Sequence, residues 1–135
     1  MKLINTLTLI TWLLVMLVAC GRTEGDPLNN TSWELYSIGQ YSPIPGSKVT
    51  IRFEDGQASG NASCNSFGGE YQVNGKQIKF NQMASTMRAC VDQSLMEQES
   101  AYLKFLGEAQ HFELANGQLQ IYRSDGEALT FVSAQ

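Results

Sequence analysis

Four Asx-Gly dipeptides, each set between runs of alternating apolar and polar residues, constrain this chain more than any other feature. Asp55-Gly56, Asn74-Gly75, Asn116-Gly117 and Asp125-Gly126 supply residues that accept the positive φ of tight β-turns. Tyr71 and Val73 precede the second turn, and Ile78 and Phe80 follow it. Phe112 and Leu114 lead to the third, Leu119 and Ile121 run toward the fourth, and Leu129 and Phe131 follow. Upstream, Trp33 and Leu35 alternate with Glu34 and Tyr36, and Val49, Ile51 and Phe53 alternate with Thr50 and Arg52. Period-2 alternation is the signature of a strand with one face buried, so the chain reads as a series of hairpins.

One segment departs from that rhythm. Leu95, Tyr102, Leu106 and Ala109 recur at helical spacing, with Leu103 and Phe105 widening the stripe. Ser94 and Glu97 have the spacing of a capping box, which starts the expected helix at Ser94 and carries it over about 94–108. The fold class is therefore mainly β (α+β), expected as a small antiparallel β-barrel or half-barrel of about 7–8 strands capped by one helix. Between residues 57 and 64 the alternate positions Ala58, Gly60, Ala62 and Cys64 are all small. Such a strand implies either close packing of the element opposite or a cavity, and packing is the reading favoured here.

The first two dozen residues have a different character. Lys2 precedes an apolar run of Leu9, Ile10 and Trp12 to Val18, broken only by Thr11. Asn5, Thr6 and Thr8 leave this run short of the roughly 20 apolar residues of a spanning helix, so a secretory leader is favoured over a transmembrane anchor. Leu17-Val18-Ala19-Cys20 resembles the lipobox read by bacterial lipoprotein-processing enzymes. That resemblance implies a signal peptide over 1–19, cleavage before Cys20, and a lipidated Cys20. Several acyl chains on one residue anchor firmly because each buried CH₂ contributes about 0.8 kcal/mol. Gly21 stands where an Asp would resemble an inner-membrane retention signal, which favours outer-membrane sorting, with the domain facing the periplasm. Residues 20–29 read as a polar tether carrying the lipid and 30–135 as the domain.

Loss of Lys2 with the leader takes the formal net charge from −4 to −5. An acidic domain of this kind has no electrostatic footprint for nucleic acid and no basic patch for anionic lipid. Membrane attachment is thus expected through Cys20 alone, and the domain is expected to be monomeric. Cys64 and Cys90 remain in the mature chain, where an oxidising compartment favours a disulfide over two free buried thiols. No further ligands accompany them at zinc-binding spacing. His111, the single histidine, has no marked partner for a catalytic triad, and Glu97 and Glu99 lie two apart on the helix and point to different faces. No catalytic residue, metal site or cofactor is expected.

Two segments stand out: Ser63-Cys64-Asn65-Ser66-Phe67-Gly68-Gly69-Glu70-Tyr71, and Met83-Ala84-Ser85-Thr86-Met87-Arg88-Ala89-Cys90 followed by Glu99 and Tyr102 on the helix. With Trp33-x-Leu35 and Gly126-x-x-Leu129-x-Phe131 they resemble the META domain (HslJ-like) family of bacterial lipoproteins over about Asn30–Gln135. The chain departs from the pattern at Ser63, where a glycine commonly precedes the cysteine, in the Met87-Arg88 order, and in lacking a proline after Cys90; each bears on local loop geometry. The resemblance implies a small barrel or half-barrel with one helix in a secreted or anchored protein, with suggested links to heat shock, antibiotic tolerance and motility and no general enzymatic activity. It also makes Cys64 a partner for Cys90, and gives Asn65, Arg88 and Glu99 as a possible polar recognition patch beside a purely structural alternative. The expected role is a non-catalytic envelope-anchored lipoprotein that binds a protein or envelope component in stress response or envelope maintenance. A lipid-anchored carrier of a small apolar ligand is the alternative.

Overall fold

The computed structural model describes residues 25–134; the leader, Cys20 and the first residues of the tether lie outside the described residues. Eight strands form a closed barrel in sequence order: β1 (Thr31–Ile38), β2 (Val49–Glu54), β3 (Gln57–Ala62), β4 (Ser66–Asn74), β5 (Gln77–Ser85), β6 (His111–Ala115), β7 (Gln118–Tyr122) and β8 (Ala128–Ser133). All neighbours are antiparallel, and β8 closes on β1 with Leu35 opposite Phe131. Helix α1 (Gln93–Gly107) stands between β5 and β6 in the chain. The barrel is thus closed rather than half-open, with eight strands.

The alternation read from the sequence sets which residues fill the interior. Trp33, Leu35, Val49, Ile51, Phe53, Tyr71, Ile78, Phe80, Leu119, Ile121, Leu129 and Phe131 are all buried. Two depart from this: Val73 is only partly buried, and Leu114 is 41% exposed. β5 pairs with β6 only at Gln77 and His111, so Leu114 lies past the β4–β5 turn, paired with Leu119 of β7 on one side and with no β5 residue on the other. Two of the four turn dipeptides, Asp55-Gly56 and Asn116-Gly117, have positive φ at both residues and close two-residue hairpins of the I′ pattern. The second hairpin is displaced by one residue, because Asn74 pairs with Gln77 and leaves Gly75-Lys76 as the loop. The fourth is longer, running from Tyr122 to Ala128.

The single pair between β5 and β6 leaves a seam, and α1 packs against β5 there. The Tyr102 ring reaches inside and meets Phe67 and Phe131 edge-on, at centroid distances of 5.6 and 6.4 Å. Arg123, in the β7–β8 turn, lies 4.7 Å over the Phe105 ring and pairs with Glu108, Asp125 and Glu127, fastening that turn to the end of the helix. The helix start differs from the capping-box reading. Asp92 is the N-cap, accepting from Ser94 N at 2.9 Å and from Ser94 Oγ at 2.6 Å, while Glu97 accepts from Gln93. A charged acceptor facing the free N–H groups of the first turn outcompetes a hydroxyl.

The packed chain also begins earlier than its turn-rich composition suggests. Leu28 is fully buried, Asp26 accepts from Leu28 N and from the Tyr71 phenol, and Asn29 accepts from Asp55 N at 2.8 Å. Burial, and then the bond to Asp26, push the Tyr71 phenol above its ordinary pKa. These contacts lock the entering chain onto the β2–β3 hairpin end of the barrel.

Strand β3 packs as its small residues imply. Ala58 and Ala62 are fully buried, and a Cβ at Gly60 would sit 1.9 Å from the Thr50 carbonyl oxygen. The backbone of β2 occupies the space a side chain would need. Gly60→Ala is expected to destabilise by roughly 2–4 kcal/mol, measured by urea unfolding, since backbone cannot yield as a side-chain tip can. Hydrogen bonds from Ser94 hold the Asp92 carboxyl below the usual carboxylate range. Its contribution is therefore complete above the unfolded-state pKa and is lost as pH falls through the lower, folded value. Thermal melts should show Asp92→Ala costing more than Ser94→Ala near pH 7, and little different from wild type below that range.

Candidate functional site

Leu95, Glu99, Tyr102 and Leu106 follow one another at the spacing of a single helix face, so Glu99 sits on the apolar stripe of α1. It is 7% exposed. A carboxylate there requires donors, and three converge on it. Oε2 accepts from Cys64 N at 3.1 Å and from Asn65 N at 2.7 Å; Oε1 accepts from Asn65 Nδ2 at 2.7 Å. The turn after β3 is thereby bolted to the helix.

Asn65 extends the linkage to the segment after β5. Its Oδ1 accepts from Thr86 Oγ1 at 2.9 Å and from Arg88 N at 2.8 Å, while Nδ2 also donates to the Arg88 carbonyl at 3.2 Å. Both amide hydrogens and both lone pairs are used, and this pattern fixes which way the amide points. An aspartate would lack the donors, and a glutamine would overreach. Arg88 takes part through its backbone alone, and its side chain is exposed. Of the three residues read as a polar patch, Asn65 and Glu99 are brought together and turned inward, and Arg88 presents its guanidinium to solvent.

The same two segments are joined covalently. Cys64 and Cys90 form a disulfide with their Cα atoms 5.9 Å apart, closing a sequence separation of 26. Neighbouring Gln98 ties in the long β1–β2 loop, accepting from Ile44 N at 2.7 Å and donating to Ser47 Oγ and Ser63 Oγ at 3.0 and 2.6 Å. Ser63 itself has φ +118°, a conformation natural to the glycine that commonly stands there. Nothing in linear sequence marks Gln98, whose partners lie far away in the chain, while Thr86 belongs to the Met-Ala-x-Thr segment.

Beyond this cluster the loop reaches water. Met87 and Val91 are fully exposed and Met96 is 45% exposed. Two shallow grooves flank them, one of about 340 Å³ between the loop and Leu95, the other of about 670 Å³ along Met96 and Ser100. A larger open groove of about 820 Å³ lies elsewhere, between the β4–β5 hairpin and the end of α1. His111 stacks on Tyr122 at 4.6 Å. Among the described residues no group of three His, Cys, Asp or Glu side chains could hold a metal, and no helix is long and apolar enough to cross a membrane.

Two unfolding measurements test this linkage. Replacing both Cys64 and Cys90 by Ser is expected to lower stability by roughly 2–4 kcal/mol, the size given by loop-closure entropy. Asn65→Ala removes four side-chain bonds and one of Glu99's donors, and is expected to lower stability by about 3–5 kcal/mol.

The META domain family model matches residues 26–135, so the match begins where the packed chain begins. Among solved structures, the NMR structure of a protein from Burkholderia xenovorans is 25% identical, with a TM-score of 0.67 over 80% of this chain and 84% of that one. A second protein solved by NMR is 24% identical, with a TM-score of 0.65 over 78% of this chain and 91% of its own. The crystal structure of a duf4847 family protein from Bacteroides vulgatus ATCC 8482 shares the fold at 13% identity, with a TM-score of 0.57 over 78% and 94% of the two chains. No curated protein matches the chain. With its cysteine-asparagine turn, its Met-Ala-x-Thr segment and its plugging helix in place on an eight-stranded barrel, the chain belongs to the META domain family.

Proposed function

We propose that this protein is a non-catalytic lipoprotein of the bacterial envelope, anchored through Cys20, whose domain docks a partner protein with the loop braced by Cys64 and Cys90. The observation that carries the reading is that Met87 and Val91 are wholly exposed on a loop fixed by a disulfide and by Asn65. Apolar side chains displayed in water from a braced backbone are poor for solubility and good for binding, because little backbone entropy is lost when a partner covers them. The polar groups that would serve chemistry nearby, Asn65 and Glu99, bond to each other and to backbone.

Orientation supports the same reading. The entering chain is fastened at the β2–β3 hairpin, and β3 runs from that hairpin to the Cys64 turn, about 20 Å for six residues. Five residues from Cys20 to Gly25 reach at most about 18 Å. The docking loop therefore lies at the opposite end of β3 from the point where the tether enters, which leaves it free to meet a partner. The lipobox and Gly21 support an outer-membrane anchor with the domain facing the periplasm.

The test is affinity capture by the lipidated protein from its own envelope, beside a lipidated tether lacking the domain and beside a Met87→Ser/Val91→Ser variant. Both positions are exposed, so the variant should keep its melting temperature. A partner enriched over the tether and reduced about tenfold by the double substitution, or 1.4 kcal/mol, is the expected result. No enrichment over the tether, or equal capture by the variant, defeats the docking reading. Separately, Cys20→Ser should leave the precursor unprocessed, and normal maturation would defeat the anchor.

A further inference from the structure

The loop after β5 is held by two locks of different chemistry, and they hold different residues. Thr86 donates its N–H to the Ser66 carbonyl and its hydroxyl to Asn65, and Arg88 bonds to Asn65 through both its N–H and its carbonyl. Met87 lies between these two pinned residues. After Arg88 the pattern changes. Among the described hydrogen bonds none reaches Ala89, Cys90 or Val91, and the next held residue is Asp92, which caps the helix. Ala89 and Val91 are exposed. The bond from Cys90 to Cys64 is what ties this stretch to the barrel.

Beside the stretch lies the open groove of about 340 Å³ that residues 88–92 line together with Cys64 and Leu95, so residues 89–91 border open space. Leu95, the first apolar residue of the helix stripe, is only half-buried there.

We propose that the disulfide is a redox-sensitive lock on Val91 alone, while Asn65 holds Met87 in either redox state. A dithiol reductant would break the S–S bond by exchange: it gives up two electrons and two protons, Cys64 and Cys90 become thiols, and the reductant closes its own disulfide. Residues 89–91 then lose their tie and Val91 its fixed display beside the groove, while the Asn65 bonds, which involve no sulfur, keep Thr86–Arg88 seated. The oxidised protein thus presents two apolar side chains, and the reduced protein one. This refines the docking surface proposed above, but the device is a property of the loop, and its test needs no partner.

The experiment is ¹⁵N relaxation and amide exchange on the mature lipidated protein in detergent micelles, oxidised and after dithiothreitol. On reduction, order parameters at Ala89, Cys90 and Val91 should fall from the rigid range to below about 0.6. Exchange of the Arg88 amide, which donates to Asn65 Oδ1, should change by less than about tenfold. Cys64→Ser/Cys90→Ser should match the reduced protein without reductant, separating loss of the bond from side effects of dithiothreitol. Unchanged order at 89–91 would overturn the proposal by showing another restraint there. A loss of Arg88 protection beyond tenfold, including by general unfolding, would overturn it equally, because the disulfide would then hold the whole loop. Neither outcome depends on whether a partner exists.

Discussion

The Glu99 carboxylate is the point on which the helix end of this barrel turns. Moving a carboxylate out of water costs several kcal/mol, and the cost is offset only where donors are already in place. Here they are the consecutive N–H groups of Cys64 and Asn65 and the Asn65 amide. Because Glu99 rises from the same stripe as Tyr102 and Leu106, its bonds set the axial position of the helix as those side chains enter the barrel. A helix shifted by one residue would bury a charge without partners. Hydrophobic packing of Tyr102 against Phe67 and Phe131 supplies the attraction, and the carboxylate supplies the register.

That register matters because the barrel is unevenly stitched. Seven of its eight seams are ladders of several pairs, while β5 and β6 share one. The chain leaves β5, makes its pinned loop, runs down the helix and returns as β6, so the weakest seam is the one the helix covers. The disulfide, the Asn65 amide and the Glu99 carboxylate all act on this excursion, each joining it to the turn after β3. The loop proposed to meet a partner is thus built from the elements that close the barrel.

Strands were legible because their information is local. Alternation in Val49–Phe53 or Leu119–Ile121 reports burial directly, and an Asx-Gly pair reports its own φ. Where the structure departs from the sequence pattern, the deciding interaction is distant or finely balanced. Asn74-Gly75 is displaced by one residue because the pairing of Asn74 with Gln77 takes the asparagine into the strand. Leu28, in a run of turn formers, is buried by a barrel end that its neighbours in sequence do not reveal. Asp92 outcompetes Ser94 as the cap through charge. Asn65 and Glu99 were found from the family pattern, but their inward orientation was not read from it. The signal was present, since position 99 falls on the stripe of Leu95, Tyr102 and Leu106. Gln98 left no trace, because its three partners belong to loops 35 to 54 residues away.

Closure of β8 on β1 has a consequence for how such a unit can be joined to others. Trp33 faces Ser133, and Ala134 N donates to Ser32 O at 3.0 Å, so the incoming and outgoing backbone run side by side at one pole. The disulfide-braced loop occupies the other pole. A domain with adjoining ends behaves as a bead that can be spliced into a longer polypeptide or set in tandem with little distortion. Connections made at that pole would leave the opposite face unobstructed in every copy.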